Sequence, residues 1–207
     1  MRTERLQLAH GACVIAALGD AAADVAAALA ALPAAERARA AELGPVRRRE
    51  YLAGRTALHL ALGSDEAILS DDRGAPILPP GWVGSVSHKR GVAAALVAPA
   101  GAGRLGIDLE LAAAPRGDIA RRILTPRELA ALPDGGRGVT LRFSIKEAIY
   151  KAIDPYVRRY VGFTEVELEL DPAGDAVAVT TALPFAIAAT WCEHAGHWLC
   201  TAHAVPR

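Results

Sequence analysis

The run Pro99-Ala100-Gly101-Ala102-Gly103 falls at the midpoint of a 207-residue chain and interrupts the patterns on either side of it. No other feature constrains the fold as much, because it leaves two lobes, 1–103 and 104–207, of about 100 residues each. With 52% of its residues hydrophobic, the chain has enough apolar surface for each lobe to bury a small core.

In the first lobe, residues 5–18 read as an opening strand, and Asp20 or Asp24 is placed to cap a helix reaching about Leu32. A second helix starts near Ala34, breaks at Gly44-Pro45, and restarts from Val46 to about Leu62, where Gly63 stops it. Ser70 to Gly81 holds three prolines and cannot be helical. Trp82–Ser87 and Val92–Val97 read as strands joined by a His88-Lys89-Arg90-Gly91 turn. In the second lobe, Leu105–Leu109 is a short strand, and residues 117–131 are helical with a restart at Thr125-Pro126. Residues 140–153 form an amphipathic helix, and strands near 163–170, 176–182, 185–192 and 197–204 follow. Helices and antiparallel strands in each half predict an α+β fold of two similar lobes in a pseudo-twofold arrangement.

Lysine plus arginine and aspartate plus glutamate number 23 each, so no global field draws the chain to nucleic acid or to an anionic membrane. A polyanion site has to be local. Cys13, Cys192 and Cys200 make an odd count without a CxxC pair, which points to a reducing, cytoplasmic setting. The apolar run 12–18 resembles a signal sequence, but Glu4, Gln7 and His10 spoil its start and Asp20 and Asp24 interrupt its continuation. No apolar stretch is long enough for a membrane helix. Cys192, His194, His197, Cys200 and His203 suggest zinc by type. A two-residue turn at Ala195-Gly196 pairs 191 with 200, however, and sends Cys192 and Cys200 to opposite faces.

Four local constellations carry chemistry. In Gly106-Ile107-Asp108-Leu109-Glu110, strand period two puts Asp108 and Glu110 on one face, where a hard cation such as Mg²⁺ relieves their repulsion; two solvent-facing acids are the plain alternative. In residues 143–151, Ser144, Glu147 and Lys151 lie opposite an apolar stripe of Ile145, Ala148, Ile149, Ala152 and Ile153. Glu147 and Lys151 there are either functional or an exposed i,i+4 ion pair. Arg48 and Arg55 share a helix face with Tyr51, Leu58 and Leu62, a place where arginine either snorkels or meets an anion such as phosphate. Gly84-Ser85-Val86-Ser87-His88-Lys89-Arg90-Gly91 brings a hydroxyl, an imidazole and cations to one hairpin, as a phosphate cradle would or as an ordinary polar turn does.

Taken in order, Arg-Arg-Arg-Glu-Tyr-Leu-Ala-Gly-Arg (47–55), Arg-Gly-Ala-Pro (73–76), Gly-Ser-Val-Ser-His (84–88), Gly-Ile-Asp-Leu-Glu (106–110) and Phe-Ser-Ile-Lys-Glu-Ala-Ile-Tyr-Lys-Ala (143–152) resemble the 4′-phosphopantetheinyl transferases. The resemblance is to the long, two-lobed type that activates surfactin and enterobactin synthetases, nearest the enterobactin-synthase component D branch, where phenylalanine is usual at the place of Phe143. It covers about residues 34–170, and the last 37 residues carry no matching motif.

The resemblance implies transfer of the 4′-phosphopantetheine group from coenzyme A to a serine of an apo carrier protein, with release of 3′,5′-ADP. It implies Mg²⁺ held by Asp108, Glu110 and Glu147. A carboxylate or a metal-held water would deprotonate the serine, and Lys151 would assist the leaving group. Arg48, Arg55, Arg73, Ser87, His88 and Lys89 would line the coenzyme A pocket, with the register at Arg47 and Arg48 open by one residue. The first lobe would then bind coenzyme A phosphates and the second would carry the metal and the catalytic residues. A monomer is expected. A metal-dependent phosphohydrolase and a non-enzymatic coenzyme A binding module are the competing readings.

Overall fold

The computed structural model describes residues 1–101, 103–132, 136–171 and 174–207. Ala102, inside the midpoint break, lies outside the described residues. The chain separates into two compact units, Met1–Gly101 and Ala102–Arg207.

The first unit has strands β1 (Arg2–Leu8) and β2 (Gly11–Ala17), helices α1 (Ala22–Ala30), α2 (Ala34–Ala41) and α3 (Pro45–Leu62), and strands β3 (Trp82–Lys89) and β4 (Val92–Pro99). They build an antiparallel sheet ordered β1-β2-β4-β3. The single opening strand expected at 5–18 is instead a hairpin: only residues 12–17, apolar and central, pair with β4, while residues 2–8 fold back as a mostly exposed edge. Asp20 and Asp24 do not cap α1, whose N-cap residue is Ala21 and whose first turn has no side-chain cap. Breaking α2 from α3 at Gly44-Pro45 works as expected, with Pro45 in the first turn of α3 and Gly63 left-handed at its end. Small residues let α3 sit close on the sheet. Ala57 and Leu58 pack with Val14, Ala16, Ile68, Ala95 and Val97, and a side chain at Gly54 would press on Val86.

The expected four-residue turn at 88–91 shrinks to Arg90-Gly91, both with positive φ (50° and 80°), and β3 continues through His88 and Lys89. Such a two-residue turn matches the twist of its flanking strands and keeps both strands paired to their ends.

The second unit has β5 (Arg104–Leu111), α4 (Ala120–Ile123), α5 (Pro126–Ala130), α6 (Arg137–Val157), β6 (Val166–Leu170), β7 (Ala176–Thr181), β8 (Phe185–His194) and β9 (His197–Pro206). Its antiparallel sheet runs β5-β9-β8-β7-β6. Thr125 and Glu128 cap α5 reciprocally, so the restart at Thr125-Pro126 is a capping box. Helix α6 outruns its expected span at both ends and carries Pro155 in its last turn. The hairpin at Ala195-Gly196 has the predicted register, Trp191 opposite Cys200 and Cys192 opposite Leu199. Both units are α+β, each with one long helix against an antiparallel sheet.

Candidate functional site

In the second unit the site begins with a missing side chain. A Cβ on Gly106 would collide with the carbonyl oxygen of Ala148 and crowd the amide of Ala152. The bare backbone therefore lets α6 lie directly on β5 and brings helix residues 144–151 within reach of the strand's acids. Asp108, two residues on, is buried (6% exposed) on β5 opposite Cys200 of β9. Its Oδ2 accepts a hydrogen bond from Ser144 Oγ at 2.9 Å, and Lys151 Nζ donates to its Oδ1 at 2.8 Å. Lys151 also donates to the carbonyl of Ile107 at 2.9 Å. The polar side of α6 thus faces β5, and Lys151 pairs with Asp108 across the two elements, unlike an exposed helix pair.

Glu147 is half-buried, and its carboxyl is raised above the usual carboxylate range. Burial is the largest cause, with further contributions from the negative charges of Asp108 and Glu110, while Lys151 opposes them. Beside it opens a cavity of about 160 Å³ lined mainly by apolar groups, among them Ile149, Tyr150, Ile153, Val161 and Phe163. Neighbouring Lys146 also lines this cavity, but its ammonium is engaged elsewhere. Its buried Nζ donates to Glu128 Oε2 at 2.7 Å and to the Ile123 carbonyl at 2.9 Å, tying α6 to α4 and α5. The thiol of Cys200, fully buried on β9 opposite Asp108, is pushed up by burial.

The donor chemistry of Asp108, Glu110 and Glu147 suits Mg²⁺: all are oxygens, and the repulsion that helps hold Glu147 high is what a divalent cation would offset. Among the described residues no three His, Cys, Asp or Glu side chains form a ready cage, and Lys151 engages Asp108 Oδ1.

In the first unit a cavity of about 180 Å³ is lined by residues that include Arg39, Arg47, Arg55, Ser70, Gly74 and His88, with Glu50 as the one carboxylate among the described residues. Arg55 is 4% exposed, lies over the Tyr51 ring at 4.8 Å, and donates from Nη2 to Ser70 Oγ at 2.8 Å. Its Nε is buried without a hydrogen-bond partner among the described residues. Among the described residues no carboxylate is hydrogen-bonded to this buried guanidinium, whose planar fork suits an anion such as phosphate. His88 Nδ1 stands 3.4 Å from Glu50 Oε2.

Of the expected pocket residues, Arg55 and His88 meet at this cavity and Arg48 does not. The Arg48 guanidinium turns back to the carbonyls of Ala40 and Ala41, at 2.9 and 3.0 Å, closing the C-terminus of α2. Arg47 lines the cavity in its place. Strand alternation puts Ser87 and Lys89 on the opposite face of β3 from His88. At the loop, Gly74 reaches the cavity wall, while the amide of Arg73 donates to Asp71 Oδ1 at 2.9 Å. Ser70 and the Ser144 contact to Asp108 were not assigned from sequence; a lone serine gives no signal until its partner is placed.

Two family profiles match: the 4′-phosphopantetheinyl transferase N-terminal domain over residues 35–98 and the 4′-phosphopantetheinyl transferase superfamily over residues 104–204. Together they take in most of the chain and every residue of both sites. The chain belongs to the 4′-phosphopantetheinyl transferase superfamily. It is similar to the 4′-phosphopantetheinyl transferase Npt of Nocardia iowensis, 38% identical over 133 residues that cover 60% of this chain and 60% of Npt. Svp of Streptomyces mobaraensis, also a 4′-phosphopantetheinyl transferase, is 34% identical over 152 residues, 66% of this chain and 60% of Svp. This superfamily member thus spans about three-fifths of the length of those relatives. Among solved structures, it is similar to Helicobacter pylori holo-[acyl-carrier-protein] synthase in complex with coenzyme A, at 21% identity and a TM-score of 0.40, over 50% of this chain and 99% of that one.

Proposed function

We infer that the chain transfers the 4′-phosphopantetheine group of coenzyme A to a serine hydroxyl of an apo carrier protein. The serine oxygen bonds to the phosphorus bearing the pantetheine arm, the pyrophosphate P–O bond breaks, and 3′,5′-ADP leaves with the electron pair. The observation that carries the reading is the Asp108–Lys151 pair with Glu147 beside it, formed where β5 and α6 touch. Phosphoryl transfer needs its charge neutralised, its leaving group stabilised and its nucleophile deprotonated, and these groups can meet each need.

In this reading the first unit binds phosphates of coenzyme A. Arg39, Arg47 and Arg55 bring positive charge to the cavity, and the Arg55 Nε supplies a donor that has no acceptor among the described residues. The second unit carries the reaction. A carboxylate of the Asp108, Glu110 and Glu147 group takes the serine proton, and the Lys151 ammonium supports the departing phosphate. The same three carboxylates would hold Mg²⁺, which when bound supplies charge neutralisation at the pyrophosphate. The apolar cavity beside Glu147 suits the uncharged pantetheine arm. Phe143 is the residue that favours the enterobactin-type branch. Cys13, Cys192 and Cys200 form no disulfide, which fits action in the cytoplasm. No helix among the described residues is long and apolar enough to cross a membrane.

The test is incubation with coenzyme A, Mg²⁺ and a panel of apo carriers, read by intact mass. One phosphopantetheine gained by a carrier, with 3′,5′-ADP released in equal amount, is the expected result. Release of 3′,5′-ADP without any carrier would make the protein a phosphohydrolase, and binding of coenzyme A without either product would make it a binding module.

A further inference from the structure

One buried charged pair in the first unit takes no part in the chemistry above. Glu36 on α2 is 0% exposed, and His59 on α3 brings Nε2 to 2.9 Å from Glu36 Oε2. The other ring nitrogen, Nδ1, lies 2.7 Å from the carbonyl oxygen of Ser64. A neutral imidazole has one N–H, and Nδ1 needs it for Ser64. The short contact at Nε2 therefore holds a second proton between ring and carboxylate. Glu36 and Asp65 are the charged groups that act on the ring, both favouring its protonated form.

The remaining Glu36 oxygen, Oε1, accepts the backbone N–H of Ile68 at 2.6 Å. Two residues later, Ser70 Oγ accepts from Arg55 Nη2. From Leu69 onward the chain folds back on itself: Ser70 bridges to Pro76, and the Ile77 N–H donates to the Leu69 carbonyl at 2.9 Å. The segment carrying Ser70 and Gly74 into the cavity wall is thus fastened to the helices at Ile68 by Glu36 and at Ser70 by Arg55. A buried ion pair adds little net stability on its own, and its best-attested use is to fix one arrangement over others.

We propose that Glu36 and His59 are positioning residues for the first unit's cavity: by fixing Ile68 they hold Ser70 on Arg55, which keeps that guanidinium aimed at a bound phosphate. This rests on reading the cavity as a coenzyme A phosphate site.

The experiment uses the full chain and 3′,5′-ADP as probe. Glu36→Met keeps the length and apolar packing but removes the acceptor for the Ile68 N–H, and should raise Kd about tenfold with kcat at saturating coenzyme A held. Glu36→Gln restores that acceptor and can donate to a neutral His59, so its affinity should return to within about twofold of wild type. Ser70→Ala cuts the chain of contacts at an exposed residue and should match Glu36→Met, and the double variant should be no weaker than either. Should Glu36→Met not fold, Glu36→Asp, one methylene too short to reach both partners, replaces it.

The Arg55 ¹⁵Nε–¹H resonance of the ligand-free protein gives an independent readout and should move in Glu36→Met but not in Glu36→Gln. An unmoved Arg55 resonance in the disrupting variant, or Glu36 and Ser70 effects that simply add, overturns the proposal. A wild type that binds no 3′,5′-ADP defeats the cavity reading instead, and the Arg55 resonance then still decides whether Glu36 acts through Ser70.

Discussion

Asp108 shares its two carboxylate oxygens between a hydroxyl and an ammonium that both come from α6, Ser144 on one and Lys151 on the other. An exposed i,i+4 pair between Glu147 and Lys151 would be worth less than about 0.5 kcal/mol, and its loss would leave turnover untouched. A lysine that meets charge developing on a leaving phosphate predicts otherwise. Lys151→Ala should lower kcat by about 10²-fold with little change in coenzyme A affinity, measured with saturating apo carrier and a parallel thermal melt. A folded variant with normal kcat removes Lys151 from the reaction. The neighbouring arginines separate in the same way. Arg47→Ala should raise Kd for coenzyme A, whereas Arg48→Ala should mainly cost stability, about 1–2 kcal/mol, because its charge-assisted bonds go to the α2 carbonyls. Calorimetry and melting curves on the two variants check the assignment. Nothing in three consecutive arginines distinguishes them in sequence; the end of α2, with carbonyls in need of donors, does so only once α2 and α3 are folded together.

At the scale of elements, the spacing of β5 and α6 is fixed by Gly106. Gly106→Ala forces a methyl against helix backbone, which cannot yield as a flexible side chain would. The variant should lose about 1–3 kcal/mol and should lose activity beyond what its melt explains, since Lys151 and Ser144 are lifted from Asp108. Melts and kcat measured together on folded protein test this; equal activity per folded molecule would mean the spacing is not critical. The apolar stripe of α6 was legible from its period, and the stripe residues Ile145, Ala148, Ile149, Ala152 and Ile153 are all buried. Its other side was not. Ser144 and Lys146 are buried as well, Ser144 by β5 and Lys146 by α4 and α5. Periodicity reports one buried face and is silent about cover that arrives from distant segments. The hairpin at 88–91 failed for a different reason, since a polar His-Lys pair looks like a turn until strand pairing with Ala93 and Val92 claims it.

For the whole molecule, the chain divides into two compact units, Met1–Gly101 and Ala102–Arg207. Charges that balance overall leave the binding chemistry to local groups, and one of these makes global stability respond to pH. His59 is raised above its ordinary value of 6.5, first by its hydrogen bond to Glu36. A raised imidazole contributes stability that is whole below 6.5 and is lost as pH rises through the folded value. Thermal stability of the wild type should therefore decline above pH 6.5, and His59→Gln should remove that part of the slope; an unchanged pH profile in the variant would show the pair to be silent.

Strand β5, which carries Asp108 and Glu110, is hydrogen-bonded to β9, formed by residues 197–206. A chain emerging from the ribosome will have made its acids, its long helix and three further strands before the partner that sets the register of those acids exists. Closing so long a loop is slow relative to local steps. Maturation of the second unit thus has a natural order in which catalytic competence comes last, and a nascent chain stalled after α6 should carry the motif yet be unable to turn over.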